Sequence, residues 1–233
     1  KNIFFTNNDT AYESAIALNK KGIKVEAIVD IRENPNSEFT KAVETLGIKI
    51  YKNYTIVDTY GYKRLNKITI MELSKDGHSF SNSNIIELDC DCLGMAGGWT
   101  PAVHLFTQSG GKLKFRDEDQ VFIPNKYPSK QISIGSCNGD FELDEIIKNS
   151  SDSLKKFLEI DKTDYENLSV VTSKETNKKN IWLLPTDKVS GKTKSFVDYQ
   201  NDATANDIKL ALREGFRSIE HVKRYTTTGM GTD

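Results

Sequence analysis

Apolar residues gather in short runs over residues 2–6 and 25–30, and between those runs they recur at Ala11, Ala15 and Leu18, which is helical spacing. The pattern predicts a strand, a helix from Asp9 as N-cap to about Lys21, and a second strand ending at Asp30. Gly22 is a natural helix stop. A second helix over residues 37–46, closed by Gly47, leads to a third strand over 48–51. Strand, helix, strand, helix, strand is one mononucleotide-binding half of a doubly wound α/β fold. The next stretch changes to strand periodicity, with candidates at 54–60, 67–73 and 84–88 around turn signals at Gly61 and Asp76-Gly77. A compact apolar strand at 90–95 runs into Gly97, Gly98, Trp99, Thr100 and Pro101. A short strand at 132–134 precedes a glycine turn and a helix to about Lys148. Residues 149–180 read as a polar connector with a short helix at 154–158, and 181–184 as an edge strand.

Composition narrows the class. The chain has 233 residues, 37% hydrophobic and 28% charged, enough for a substantial core plus a small second unit. Its net charge of −1 sets up no strong field toward nucleic acid or an anionic membrane. Its apolar runs are too short to span a bilayer, and no signal-peptide pattern is present, so a cytoplasmic protein is expected. The first residue is Lys1, directly before a strand, and the expectation is an interior segment of a longer polypeptide. Cys90 and Cys92 form a C-x-C pair, but alternate strand residues face opposite ways and no second pair completes a four-ligand site. Packing is the simpler role for them, with no metal site. His78, His104 and His221 lie on different elements without a nucleophile or carboxylate beside them in sequence, and no catalytic residue is assigned. The lysine-rich stretch 174–179 lacks interleaved aromatics and reads as solvated loop.

Three turns carry the candidate chemistry. Thr6-Asn7-Asn8-Asp9 stands where a dinucleotide fold has its glycine-rich turn. Asparagine tolerates unusual φ and carries a side-chain N–H, so Asn7 and Asn8 retain a means of holding a ligand. Asp9, however, puts negative charge where a phosphate would sit, which favours a capping turn in a degenerate nucleotide half. Asp30 occupies the strand end where an acid often bonds a ribose hydroxyl. With no glycines upstream and Arg32 beside it, the expectation is a solvated, paired charge. The segment Gly97, Gly98, Trp99, Thr100, Pro101 resembles the A-T-G-x-x-P-N crossover of flavin/pyridine-nucleotide reductases with two dinucleotide domains. Gly135, Asn138 and Gly139, followed by a helix, resemble a later strand-end motif of that Rossmann-like fold, whose helix start faces a pyrophosphate.

The last stretch is the most specific. Thr204, Asp207, Ile208, Gly215, Ser218, Val222, Lys223, Thr226, Gly229 and Gly231 preserve the frame of a small helical domain that holds a [2Fe-2S] cluster in several flavin dehydrogenases. The ligand positions hold Asp198, Gln200 and Asp233, and an iron–sulfur cluster needs thiolates. With T-N-N-D at 6–9, G-G-W-T-P-A-V-H-L at 97–105 and F-V-D-Y-Q-N-D at 196–202, the chain resembles the alpha (large) subunit of the heterotetrameric bacterial sarcosine oxidases.

That resemblance implies oxidative demethylation of sarcosine to glycine, with tetrahydrofolate accepting the one-carbon unit and oxygen reduced to hydrogen peroxide. It implies NAD in the alpha subunit, FMN and FAD in the full complex, no iron–sulfur cluster, and beta, gamma and delta subunits as partners. Tetrahydrofolate would bind a downstream domain. The expected organisation is an inserted NAD-domain-like unit with β-hairpins over 1–88, a return to the first dinucleotide-binding domain over 89–150, a connector over 151–195, and a cluster-less helical module over 196–233. Asn7, Asn8, Gly97, Gly98, Trp99, Pro101, Gly135, Asn138 and Gly139 are the expected cofactor-binding residues. The alternatives are a subunit of an opine or proline type dehydrogenase, or a non-catalytic nucleotide-binding assembly module.

Overall fold

A computed structural model describes residues 1–160, 170, 179–185 and 194–230. Four parallel strands build the main sheet: β1 (Asn2–Thr6), β2 (Val25–Asp30), β3 (Lys49–Lys52) and β7 (Cys92–Ala96), in the order β3-β2-β1-β7. Helices α1 (Thr10–Lys20) and α2 (Glu38–Thr45) link the first three. Between β3 and β7 the chain forms an antiparallel meander of β4 (Tyr54–Gly61), β5 (Leu65–Glu72) and β6 (Ile86–Asp89).

Strand alternation divides the side chains between two cores. Phe4 and Ile28 face α1 and α2, where Tyr12, Ala15, Val43 and Ile48 pack. Ile3, Phe5, Ala27 and Val29 face the opposite way, onto Ile68 and Ile70 of the meander and the buried thiol of Cys90. Covered on both faces, β1 and β2 need apolar residues at nearly every position, which is why they read as runs. Gly22 and Gly47, at positive φ, end the two helices.

The pairing of β7 with β1 corrects the expected domain boundary. Thr6 lies opposite Ala96 and Phe4 opposite Gly94, so the strand after residue 88 closes the sheet that β1 begins. The line between 88 and 89 therefore falls inside one three-layer unit. The same pairing gives the 90–95 strand a partner along one side.

Beyond β7 come a short helix α3 (His104–Gln108) and a hairpin, β8 (Lys112–Arg116) with β9 (Val121–Lys126), that the sequence pattern did not suggest. Its signal was the alternation of Leu113 and Phe115 before the polar turn 117–120. Residues 132–134 and 181–184 are not strands. Helix α4 (Leu143–Leu158) is one continuous helix where two short ones were expected, and it moves the start of the connector past residue 158. Most of that connector, including 174–178, lies outside the described residues, as does Asp233.

The terminal module pairs β10 (Phe196–Asp198) with β11 (Ala203–Thr204), followed by α5 (Ala205–Arg213) and α6 (Ile219–Thr226). Ala203, Ala211, Val222 and Thr226 are its buried residues among those described. Among the described residues, no helix is long and apolar enough to cross a membrane.

Candidate functional site

The sheet order reverses direction between β1 and β7, and in open α/β sheets the crevice outside the carboxyl ends of such strands is where ligands bind. Here the crevice is a cleft of about 290 Å³, deepening into a smaller recess of about 60 Å³. Asn7 and Asn8 enter from the end of β1, and Gly97, Gly98 and Trp99 from the end of β7. The β8–β9 turn adds Asp119, Gln120 and Val121, and residues 180–182 close the outer side.

The first turn is wired to itself. Thr6 Oγ1 accepts from the Asn8 backbone N–H (3.0 Å), and Asn8 Oδ1 accepts from the Thr10 N–H (3.1 Å) and hydroxyl (2.5 Å). Asn8 Nδ2 donates to Asn7 Oδ1 (2.8 Å) and to the Ala96 carbonyl (3.1 Å). Asn8 therefore caps α1 with its side chain, whereas Asp9, at the N-cap position, makes no capping side-chain bond. Asn7 Nδ2 donates to Asn180 Oδ1 (3.2 Å), and Asn180 Nδ2 donates to the Asp119 carbonyl (3.1 Å). The amides form a relay that ties three distant segments together across the cleft.

Behind this turn lies a dry ionic network. Arg32 is wholly buried at its side chain and bonds Asp30 through Nε (3.1 Å to each oxygen) and Nη2 (2.7 Å), and Asp9 through Nη2 (2.8 Å). Tyr12 donates its hydroxyl to Asp30 Oδ2 (2.8 Å). Burial would lower the Arg32 pKa, but the hydrogen bonds and charges of Asp30 and Asp9 outweigh it and hold the guanidinium pKa up. Burial, then the Asp30 charge and hydrogen bond, push the Tyr12 phenol up. Asp30 is thus not the solvated strand-end charge expected; the paired part of that expectation describes it.

A dinucleotide does not fit the first turn. Its pyrophosphate needs backbone donors at the start of α1 and its ribose needs the acid ending β2. The Asn8 and Thr10 amides are consumed by Thr6 and Asn8, and both oxygens of Asp30 are engaged within the protein. The carboxylate of Asp9 adds charge of the wrong sign.

The expected site residues separate into two groups. Asn7, Asn8, Gly97, Gly98 and Trp99 meet in the cleft. Gly98 sits at φ +91°, and Asn7 Oδ1 and Asn8 Nδ2 would lie 3.7 and 3.8 Å from a Cβ there, so the turn is both left-handed and close. Pro101, Gly135 and Gly139 are buried, and neither they nor Asn138 line the cleft. The second glycine turn, a 3₁₀ turn at Gly135–Asn138, borders an adjoining hollow through Ser136 and Phe141. Gly139, at φ +88°, is needed for packing: a Cβ would come within 2.8 Å of Arg116 Nη2, which donates to the Gly139 carbonyl (2.7 Å). Asp119, Gln120, Asn180 and Trp182 were not anticipated. They come from a hairpin turn and a connector, and no local pattern ties them to Asn7.

In the terminal module, Asp198, expected at the position of a cluster ligand, acts as a hydrogen-bond acceptor. Its oxygens take the Asn201 side chain (2.8 Å), the Asn201 N–H (3.1 Å) and the Gly229 N–H (2.7 Å). The Asn201 side-chain bond, then the Gly229 N–H, hold its carboxyl down to about 2. Among the described residues, no group of three or more His, Cys, Asp and Glu is placed to hold a metal ion.

Residues 192–233 match the family model of the sarcosine oxidase A3 domain. The chain is 28% identical, over 98% of its length, to sarcosine oxidase subunit alpha of Corynebacterium sp. (strain P-1), covering 24% of it. It is also 28% identical, again over 98% of its length, to that of Rhizobium meliloti (strain 1021), covering 22%. The chain is thus similar to these alpha subunits along nearly its whole length and spans about a quarter of theirs. Among solved structures, L-proline dehydrogenase from P. horikoshii superimposes with a TM-score of 0.55 at 18% identity, over 99% of this chain and 40% of that one, a likeness of fold.

Proposed function

We propose that this chain is a segment of the alpha subunit of a sarcosine oxidase, supporting nucleotide binding and subunit assembly and carrying no catalytic group of its own. The observation that carries the proposal is the likeness to sarcosine oxidase alpha subunits over 98% of the chain. The whole enzyme would demethylate sarcosine oxidatively to glycine, pass the one-carbon unit to tetrahydrofolate and reduce oxygen to hydrogen peroxide. FAD and FMN would supply the redox chemistry, with NAD in the alpha subunit, and beta, gamma and delta subunits would complete a cytoplasmic heterotetramer. Within this segment the cleft at Asn7, Gly97, Gly98 and Trp99 is the candidate nucleotide site.

The terminal module fits a cluster-free role. The Asp198 carboxylate, accepting from the Gly229 N–H, joins the β10 end to the turn after α6 with no metal between them. Residues 1–70 support a second reading: with the buried Asp9–Arg32–Asp30 network behind its first turn, this nucleotide half would serve as a non-catalytic assembly module.

The test uses the full-length protein with its partner subunits. Sarcosine-dependent peroxide formation, with tetrahydrofolate as acceptor, is expected. Turnover that reduces a quinone or carrier but yields no peroxide would assign the chain to a dehydrogenase instead. Stoichiometric iron and acid-labile sulfide would overturn the cluster-free reading.

A further inference from the structure

The chain has two tryptophans, and both line the same cleft. Trp99 is 71% exposed and Trp182 is 76% exposed. Aromatic side chains gathered at one concavity, with a few polar groups beside them, are the usual lining of a small-molecule site. Trp182 is held in place: its Nε1 donates to Gln120 Oε1 (2.5 Å), and Asn180 is bonded to Asn7 and Asp119. On the other side Ile181 Cδ1 reaches within 3.0 Å of where a Cβ on Gly77 would sit. The indole is thus fixed from two directions with its ring uncovered.

The remaining lining is amide, glycine and apolar. Asn7, Asn8, Gln120 and Asn180 supply neutral hydrogen-bonding edges, and Gly97 and Gly98 expose backbone. Asp119 is the one ionisable residue lining the cleft among those described, and its carboxylate is paired with Arg116. Among the described residues no lysine or arginine lines the cleft, and the nearby Thr10 N–H is already bonded to Asn8. A phosphate brought here would lose its hydration and find no cation in return. An uncharged flat ring would find two indole faces and a rim of amides.

We infer that the cleft binds an uncharged planar nitrogen heterocycle, of the nucleobase, nicotinamide or flavin-ring class, stacked against Trp99 and Trp182, and excludes the phosphate portion of any nucleotide that carries it. The inference rests on the nucleotide-site reading above and deepens it. Ring recognition and phosphate recognition separate in space: the ring takes the cleft, and the helix start that would take phosphate is filled by Asn8, Asp9 and Arg32.

The test is equilibrium binding to the assembled full-length enzyme, with adenosine, nicotinamide, riboflavin and inorganic pyrophosphate as separate probes. At least one ring probe is expected to bind, to be weakened about tenfold by Trp99→Ala and by Trp182→Ala, and to be largely restored by Trp99→Phe. Pyrophosphate is expected neither to bind in the cleft nor to compete. Which ring binds distinguishes a base, a nicotinamide and a flavin as the natural source. Pyrophosphate that binds and is displaced by Asn7→Asp would overturn the inference and leave the nucleotide-site reading standing. Should no probe bind, or should both indoles be shielded from an aqueous quencher in the ligand-free assembly, the cleft is a protein contact and both readings fall.

Discussion

Replacing Arg32 with methionine keeps most of the side-chain volume and removes the charge that neutralises Asp30 and Asp9. Arg32 and Asp30 are both wholly buried at their side chains, and that of Asp9 is 10% exposed, so water cannot replace the lost guanidinium. Removing one partner from a buried ion pair costs about 3–5 kcal/mol, because the other is left charged in a poor solvent. Against a typical total stability of about 5–15 kcal/mol this is a large share. For a protein of this size each kcal/mol shifts Tm by about 2–4 °C, so a fall of roughly 6–20 °C is expected. The assay is thermal and urea unfolding followed by circular dichroism, comparing wild type, Arg32→Met, and the triple variant Asp9→Asn, Asp30→Asn, Arg32→Met. The triple variant buries no unpaired charge and should recover most of the loss. If Arg32→Met lies within about 1 kcal/mol of wild type, or if the triple variant is as unstable as the single one, the network is not the electrostatic unit described. Restoration of Asp30 as a nucleotide ligand, seen as tighter NAD binding in Arg32→Met, would equally refute the account.

Asp198 has a folded pKa of about 2, below the unfolded value near 3.9, so its stabilisation is present above about pH 4 and is lost as pH falls toward 2. Acid titration should loosen the α5–α6 module over that window, and Asp198→Asn should flatten the dependence. Tyr12 moves the other way. Its phenol is held above the unfolded value near 10, so stability should fall as pH rises past 10, and alkaline denaturation of Tyr12→Phe should be shallower. Cys90 is buried, with its thiol pushed up by burial, whereas Cys92 is exposed. Iodoacetamide on the native protein should modify Cys92 first, with Cys90 reacting only after denaturation, as read by peptide mass spectrometry. Thr204→Ala removes a hydroxyl bonded to Asp207 Oδ2 (2.7 Å) at the start of α5, and chemical denaturation should register a loss of about 1 kcal/mol.

What depends on near neighbours was readable along the chain. The switch from strand runs to helical spacing in residues 2–51, the glycines that stop α1 and α2, and the meander strands are local matters of φ, period and turn chemistry. The turn at Gly98, which sits at positive φ, was legible for the same reason. Short apolar runs misled at residues 132–134 and 181–184, which have strand composition but join no ladder among the described residues. Which side of β1 takes β7, and with it the crevice, was set by long-range packing. So was the burial of Arg32, which depends on Tyr12 and Asp9, some 20 residues earlier in the chain. The cleft gathers Asn7, Trp99, Gln120 and Trp182 from four separate segments. Adjacency of that kind is set by packing of whole layers, and no pattern along the chain encodes it residue by residue.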